Sequence, residues 1–299
     1  MQSEHYLRLR AAANALASLT HTKLPRTLCR RLFAGAEAVV DVTDFDGSLR
    51  MRLDLAEHMQ RRIFWMGYYS RDVVATLKSL LRPGMRFVDV GANVGEISLI
   101  AAKLVGSKGQ VISFEPVNAI ADQLERHVRW NGFDWCRIER LALSDHTGMA
   151  EIYASTGNTD SKDRNAGLYS LHNVSQNVAP IQRIRLTTLD AYLHENAIDG
   201  VDGIKIDIEG AELECLRGAK ATIAAFRPWL IVEVQQQTSA AAGYEPSAIL
   251  QLLSDWGYQF YQSGSSRLHE LRTTKLAAIQ NVLCLHRERH ADLIRDGHI

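Results

Sequence analysis

Cysteine is scarce in this chain and never clustered: Cys29, Cys136, Cys215 and Cys284 stand far apart among 299 residues. No pair forms a C-x-x-C unit and the number is low for a cystine framework, so free thiols in a reducing compartment are expected. Long apolar runs are also missing. None approaches the ~18 residues of a membrane-spanning helix. Ala11–Leu19 is alanine-rich and follows arginines, but Asn14 and Ser18 interrupt it and strong hydrophobes are few. It does not read as a leader, and a cytoplasmic location is expected. Excess charge of either sign is absent too, since Lys plus Arg balance Asp plus Glu at 34 each. That balance advertises neither a nucleic-acid nor an anionic-membrane partner. The short basic groups Arg26, Arg30, Arg31 and Arg61, Arg62 read as solvated faces. No internal repeat or low-complexity tract appears; clustered carboxylates could lend metal assistance, but no H-x-H or H-E-x-x-H spacing supports a metal, so none is expected.

What is present is ordinary globular material, 46% hydrophobic and 23% charged, long enough for one large α/β domain with an appendage. Residues 1–70 read as an N-terminal extension: a helical lead-in, then alternating strands Val39–Asp44 and Leu49–Leu55 around an Asp46-Gly47 hairpin turn. Arg61–Tyr69 carries four aromatics (Phe64, Trp65, Tyr68, Tyr69), expected to pack against the main domain. Residues 71–290 read as that domain. Asp72 is a plausible N-cap for a helix ended by Pro83-Gly84. Strands at Arg86–Val90, Gln110–Phe114 and Cys136–Leu141 then alternate with helices Glu96–Val105 and Val117–Trp130. After a polar break flanked by strand-like Ala150–Ala154 and Ile181–Leu186, strand Gly203–Asp207, helix Ala211–Ala219 and strand Trp229–Val234 resume the pattern. Helix Pro246–Trp256 and strands Tyr258–Gln262 and Asn281–His286 close it. Short apolar strands alternating with helices imply a doubly wound, mostly parallel sheet covered on both faces. The last two strands lack an intervening helix, which predicts an antiparallel C-terminal edge.

Three segments carry chemistry. Val88–Gly95 (VDVGANVG) joins a strand to a helix; Gly91 permits a sharp turn and Gly95 a close approach, while freed amides at the helix start suit an anionic oxygen. Glu115 follows the next strand, close to the ~20 residues beyond the glycine loop at which a carboxylate accepts ribose hydroxyls. Asn93 replaces the second glycine that a dinucleotide pyrophosphate requires. Asp89 is unhelpful beside phosphates but suits an amine or sulfonium. S-adenosylmethionine therefore fits better than a nicotinamide cofactor. In Gly203–Glu212 (GIKIDIEGAE), Lys205, Asp207 and Glu209 alternate with isoleucines, which on an extended strand places all three on one side near the ligand-binding edge. A buried Lys–Asp pair is the structural alternative there, compatible with a site.

Phe87–Leu99, the Phe114-Glu115-Pro116 corner, Ala142–Asp145 (ALSD) and Lys205–Glu212 together resemble the FkbM family of methyltransferases, over roughly Met51 to Glu288. The resemblance implies a class I Rossmann-like fold, S-adenosylmethionine as donor, and O-methylation of a hydroxyl on a sugar, glycan or natural product. It implies that Asp89, Gly91, Asn93 and Gly95 cradle the methionine part, that Glu115 holds the ribose, that Ser144 lies by the adenine, and that Asp207 and Glu209 border the transferring methyl. An alcohol is weakly nucleophilic, so a base taking its proton would help; Asp207 and Glu209 are the candidates, with His146 and His172 as lesser ones. Two rival readings are a NAD(P)-dependent oxidoreductase and a non-catalytic relative that binds an adenosyl ligand.

Overall fold

The computed structural model describes residues 2–154, 169–171, 179–271 and 276–299. Two helices, α1 (Gln2–Leu19) and α2 (Leu24–Leu32), lead into the hairpin of β1 (Val39–Phe45) and β2 (Leu49–Asp54), followed by α3 (His58–Met66). The hairpin turns at Asp46-Gly47 as expected. Its register, with Val40 opposite Leu53 and Val42 opposite Met51, puts those four side chains on one buried face. The aromatic stretch divides its labour: Phe64 and Trp65 are buried, with Trp65 stacked on Phe33 at 5.8 Å, whereas Tyr68 donates to Asp46 at 2.6 Å. Arg61 departs from the solvated face expected of it. It is 2% exposed and its Nη1 donates to the Leu55 carbonyl at 3.0 Å, which satisfies a backbone acceptor inside the extension.

The regular alternation follows: α4 (Arg71–Leu80), β3 (Arg86–Val90), α5 (Glu96–Val105), β4 (Gln110–Phe114), α6 (Asn118–Trp130) and β5 (Cys136–Glu139). Asp72 falls inside the first turn of α4 rather than capping it, and accepts from Asn281 Nδ2 at 3.0 Å. The polar break contains β6 (Ala142–Leu143), β7 (Gly148–Ala154), β8 (Tyr169–Ser170) and β9 (Gln182–Thr187), which form a small second sheet in the order β6-β9-β7-β8. Then come α7 (Leu189–Glu195), β10 (Gly203–Ile206), α8 (Glu212–Arg217), α9 (Lys220–Phe226), β11 (Trp229–Gln235), α10 (Gln236–Ala241), α11 (Ser247–Asp255), β12 (Tyr258–Gln262), β13 (Ile279–His286) and α12 (Ala291–Asp296). The helix expected over Ala211–Ala219 is α8, and a second helix that was not expected, α9, follows it after a break. The break falls at Gly218, where an added Cβ would stand 2.0 Å from the Ser144 carbonyl oxygen.

The main sheet has seven strands in the order β12-β13-β11-β10-β3-β4-β5. Strands β11, β10, β3, β4 and β5 are parallel. The C-terminal pair forms one edge: β13 runs antiparallel to both neighbours and β12 lies outermost. Alternate residues of each strand feed two apolar layers. One joins Phe87 and Val111 to Leu99 and to Val40, Leu53 and Trp65 of the extension. The other joins Val88, Ile112, Ile204 and Val232 to Leu216 and Leu253. The extension therefore shares the core of one sheet face. The strand order reverses between β3 and β10, and at such a switch point the carboxyl ends of the strands open a crevice.

Candidate active site

That crevice is a cavity of about 530 Å³ whose lining includes Gly91, Asn93, Glu115, Asp207, Glu209 and Glu233. It is built around the turn after β3. Gly91 has φ +76°, and a Cβ there would meet the Asp207 carbonyl oxygen at 2.0 Å. Only glycine allows the β3 and β10 turns to touch in this way. Gly95, φ +94°, does the same against Leu124, whose Cδ1 would lie 2.3 Å from an added Cβ, but it does not line the cavity. Asn93 occupies the left-handed region at φ 49°, which asparagine tolerates better than most residues.

The loop amides correct one expectation. Gly91 and Ala92 N–H both donate to the Phe114 carbonyl at 3.1 and 3.0 Å, and Gly95 N–H donates to Ala92 at 3.0 Å. Asn93 N–H donates to Glu115 Oε2 at 3.0 Å, and Val94 N–H to the Asn93 side-chain oxygen at 2.7 Å. Five successive amides are engaged within the chain, which leaves none of them to receive a pyrophosphate. This counts against the nicotinamide reading.

Glu115 is 5% exposed. Its Oε1 accepts from Val117 N–H at 2.9 Å, as Oε2 does from Asn93, so each oxygen keeps a lone pair for a hydroxyl donor. Burial raises its pKa to about 7, the two amides opposing the rise. Glu96, which the sequence reading passed over, opens α5 and holds the extension against the site. Its carboxylate accepts from the backbone N–H of Tyr69 at 2.6 Å and of Ser70 at 3.1 Å, and burial raises it to about 7 as well. His127 makes a second tether. Its Nε2 accepts from Arg52 N–H at 2.9 Å, so the Nδ1 proton goes to the Val94 carbonyl at 2.8 Å.

Besides Gly95, two more residues assigned to the donor site do not line the cavity. Asp89 is fully buried beneath the cavity rather than in its lining. It accepts from Ser98 at 2.6 Å and faces Lys205 Nζ at 3.4 Å, the buried pair envisaged for this strand. Burial works against the Lys205 ammonium, yet Asp89 and Asp207 outweigh it and hold its pKa above the ordinary value. The ammonium also donates to the carbonyls of Val90 at 3.1 Å and Gly91 at 2.8 Å, which ties β10 to the glycine turn. Ser144 is likewise fully buried, and its neighbours Leu141 and Leu143 line the cavity in its place. His146 is exposed, hydrogen-bonds Asp145 at 2.8 Å, and does not line the cavity; His172 lies outside the described residues.

Asp207 and Glu209 do meet, but not by strand alternation. β10 ends at Ile206 and the chain turns through Glu209 at φ 54°. The turn is held by Glu212, whose carboxylate accepts from Ile208 N–H at 2.9 Å and from Gly210 N–H at 3.1 Å. Glu233, from the middle of β11, joins them: one oxygen each of Asp207, Glu209 and Glu233 lie within 4.8 Å of one another. Burial and the adjacent Asp207 and Glu212 raise Glu209 to about 8. Glu233 is raised by burial and by Asp207 and Glu209. Tyr69 of the extension faces the same group. Burial, then Asp207, Glu233 and Glu209, push its phenol to about 12. Sequence reasoning missed Glu233, although a lone carboxylate inside the apolar run of β11 was a visible signal. It weighed Tyr69 only within an aromatic cluster that could cover a substrate site, with packing against the main domain preferred.

Comparison with known proteins places this chain among methyltransferases. The family model described as Methyltransferase FkbM domain matches residues 89–260. The AMB antimetabolite synthetase AmbE of Pseudomonas aeruginosa is 27% identical over 237 residues, which are 70% of this chain but 11% of that protein. The 2-O-methyltransferase NoeI of Sinorhizobium fredii is 25% identical over 191 residues, 61% of this chain and 75% of that one. Among solved structures, a methyltransferase FkbM from Methylobacillus flagellatus superposes with a TM-score of 0.44 at 18% identity, covering 77% of this chain and 52% of that one.

Proposed function

The chain belongs to the FkbM family of S-adenosylmethionine-dependent methyltransferases, and from that premise we propose that it methylates a hydroxyl oxygen of a sugar, glycan or natural-product acceptor. The observation that carries the reading is one cavity with both Glu115 and the clustered Asp207–Glu209–Glu233 carboxylates among its walls. A relative whose name is 2-O-methyltransferase supports the choice of oxygen.

S-adenosylmethionine, when bound, supplies a methyl carbon made electrophilic by its sulfonium. The residues present fit that donor: Glu115 keeps two lone pairs for ribose hydroxyls, Leu141 and Leu143 offer an apolar wall for a purine, and the engaged loop amides make no provision for phosphate. In this reading Gly91 and Asn93 border the methionine part. Asp89, Gly95 and Ser144 act from beneath by fixing the turns. Asp207 and Glu209 border the reacting methyl. Glu209 takes the acceptor hydroxyl's proton as the oxygen–carbon bond forms, while the carbon–sulfur bond breaks and its electron pair leaves with sulfur. Tyr69 and Ser70 bring the extension to the acceptor side, where holding two reactants in line can contribute ~7–11 kcal/mol.

The carboxylate-rich wall and the formal neutrality of the chain favour an uncharged acceptor over a polyanion such as nucleic acid. Among the described residues no helix is long and apolar enough to cross a membrane, and the four free cysteines support a reducing, cytoplasmic setting. The test is incubation with methyl-labelled donor and three acceptor groups: free and lipid-linked sugars, polyketide alcohols, and ribosomal RNA. Label on a hydroxyl oxygen of the first two supports the proposal; label confined to RNA or to nitrogen refutes it.

A further inference from the structure

The carboxylate group on the acceptor side has a feature that proton transfer alone does not require. Glu233 stands on β11 and its Oε2 is sealed from solvent with no hydrogen-bond partner. Leaving a buried carboxylate oxygen unpaired is costly, and this one belongs to a side chain that lines the cavity beside Asp207 and Glu209. Glu212 cannot relieve it, because its own carboxylate accepts from Ile208 and Gly210 N–H and from the Tyr244 hydroxyl. Lys205 relieves it little, because its ammonium is directed to two carbonyls and shared with Asp89, with Asp207 at 3.7 Å.

We infer that Asp207, Glu209 and Glu233 form a binding site for a hard divalent cation of the Mg²⁺ or Mn²⁺ class, placed to hold the acceptor hydroxyl. Three oxygens mutually within 4.8 Å can share a centre no farther than about 2.8 Å from each. That is just outside Ca–O contact, and a small rotamer adjustment from the ~2.1 Å of Mg–O. Charge selects a divalent ion over an ammonium. Lys205 is shared with Asp89, so the three ionised carboxylates keep a formal excess of at least two negative charges, which a dication offsets better than a monocation. The ligands are all carboxylate oxygens, which suits hard cations rather than zinc or copper. With one oxygen from each side chain, three positions of an octahedron stay open for the acceptor's hydroxyl, a neighbouring oxygen and water. A bound hydroxyl is more acidic, and the second oxygen of Glu209 remains to take its proton. The spacing of Asp207 and Glu209 alone does not disclose the site, because its third ligand comes from the adjacent strand 24 residues further on.

This inference rests on the acceptor side being where the previous section puts it, and its test is chosen to separate the two. The full chain is titrated with MnCl₂ with and without S-adenosylhomocysteine, and free Mn²⁺ is counted by its electron paramagnetic resonance signal. The expected result is one Mn²⁺ per chain, displaced by excess Mg²⁺, with affinity at least ~10-fold weaker in Glu233→Gln and in Asp207→Asn. Both variants should still bind S-adenosylhomocysteine, which reports that they are folded. Glu115→Gln should bind Mn²⁺ as the parent does. No stoichiometric Mn²⁺ on the parent at millimolar metal, or undiminished binding in both carboxylate variants, overturns the site. Stoichiometric Mn²⁺ without methyl transfer to any alcohol would sustain the site and refute the acceptor proposal alone.

Discussion

Replacing Glu115 by Gln tests the contact proposed to carry donor recognition. In the parent, two buried amides, Asn93 and Val117, each donate to one carboxylate oxygen at 3.0 and 2.9 Å, which leaves one lone pair per oxygen for the two ribose hydroxyls. Hydrogen bonds to a charged group contribute about 1.5–3 kcal/mol. A carboxyl titrating near 7 is ionised only part of the time at neutral pH, which trims that gain by a few tenths of a kcal/mol. Glutamine keeps the shape and one acceptor, so the net loss should be about 1–3 kcal/mol, or roughly 5- to 150-fold in Kd. Alanine would also strand two buried amides at about 1–3 kcal/mol of stability each, so glutamine is the cleaner probe. Isothermal titration with S-adenosylhomocysteine at pH 6, 7 and 8 measures it. Ribose hydroxyls donate to the ionised carboxylate, so parent affinity should strengthen as pH rises through 7, by up to roughly tenfold if only the ionised form binds. The variant should lose that part of the pH dependence. Affinity within twofold of the parent, or an unchanged pH profile, would refute the ribose assignment.

Gly91→Ala should lower Tm and abolish donor binding together, since φ +76° and a 2.0 Å approach to the Asp207 carbonyl add strain of at least ~1–3 kcal/mol; calorimetry beside the same titration checks both. Lys205→Met leaves Asp89 charged, fully buried and without its cation, and should cost about 3–5 kcal/mol in chemical denaturation. The double variant with Asp89→Asn should recover part of that loss. Glu96 has a folded pKa of about 7, above its unfolded value, so its contribution to stability is fully present below about pH 4.5 and is lost as pH rises through 7. Melting curves of Glu96→Gln should show a shallower decline over that window, and proteolysis should release the extension more readily because Tyr69 and Ser70 lose charged acceptors.

The sheet was legible because its strands are short apolar runs separated by clear stops, and the glycine turn and Glu115 were legible because a βαβ unit fixes their separation. Asp207 and Glu209 do come together at the cavity, but not for the reason expected. Alternation along an extended strand suggested they share a face, whereas β10 stops at Ile206 and a left-handed Glu209 brings the carboxylates together. Asp89 and Ser144 show the opposite limit. Position in a motif placed them at the donor, but burial assigns Asp89 to Lys205 and puts Ser144 behind the wall that Leu141 and Leu143 form. Motif position does not report which side of a turn a side chain takes.

The two halves of the site are built differently, and that difference bears on how acceptor choice can vary. Gly91, Asn93 and Glu115 fall within 25 consecutive residues, and the contacts that shape them come from the ends of β3 and β4 and, at Gly91, from Lys205 and Asp207 at the end of β10. The acceptor side gathers Tyr69 from the extension, Asp207 and Glu209 from the β10 turn and Glu233 from β11. Of these only Glu233 lies on a strand, and Asp207 and Glu209 occupy the turn that follows β10. Tyr69 is held by Glu96, the residue that begins the helix after the glycine turn, so the extension is registered against the donor pocket through one buried carboxylate. A substitution in the extension can therefore change which acceptor fits without disturbing the donor, provided Glu96 keeps its two amides. Exchanging Tyr69 for Phe should leave S-adenosylhomocysteine affinity unchanged while shifting KM for the acceptor. Equal loss in both would mean that the extension shapes the donor pocket as well, and the division drawn here would fail.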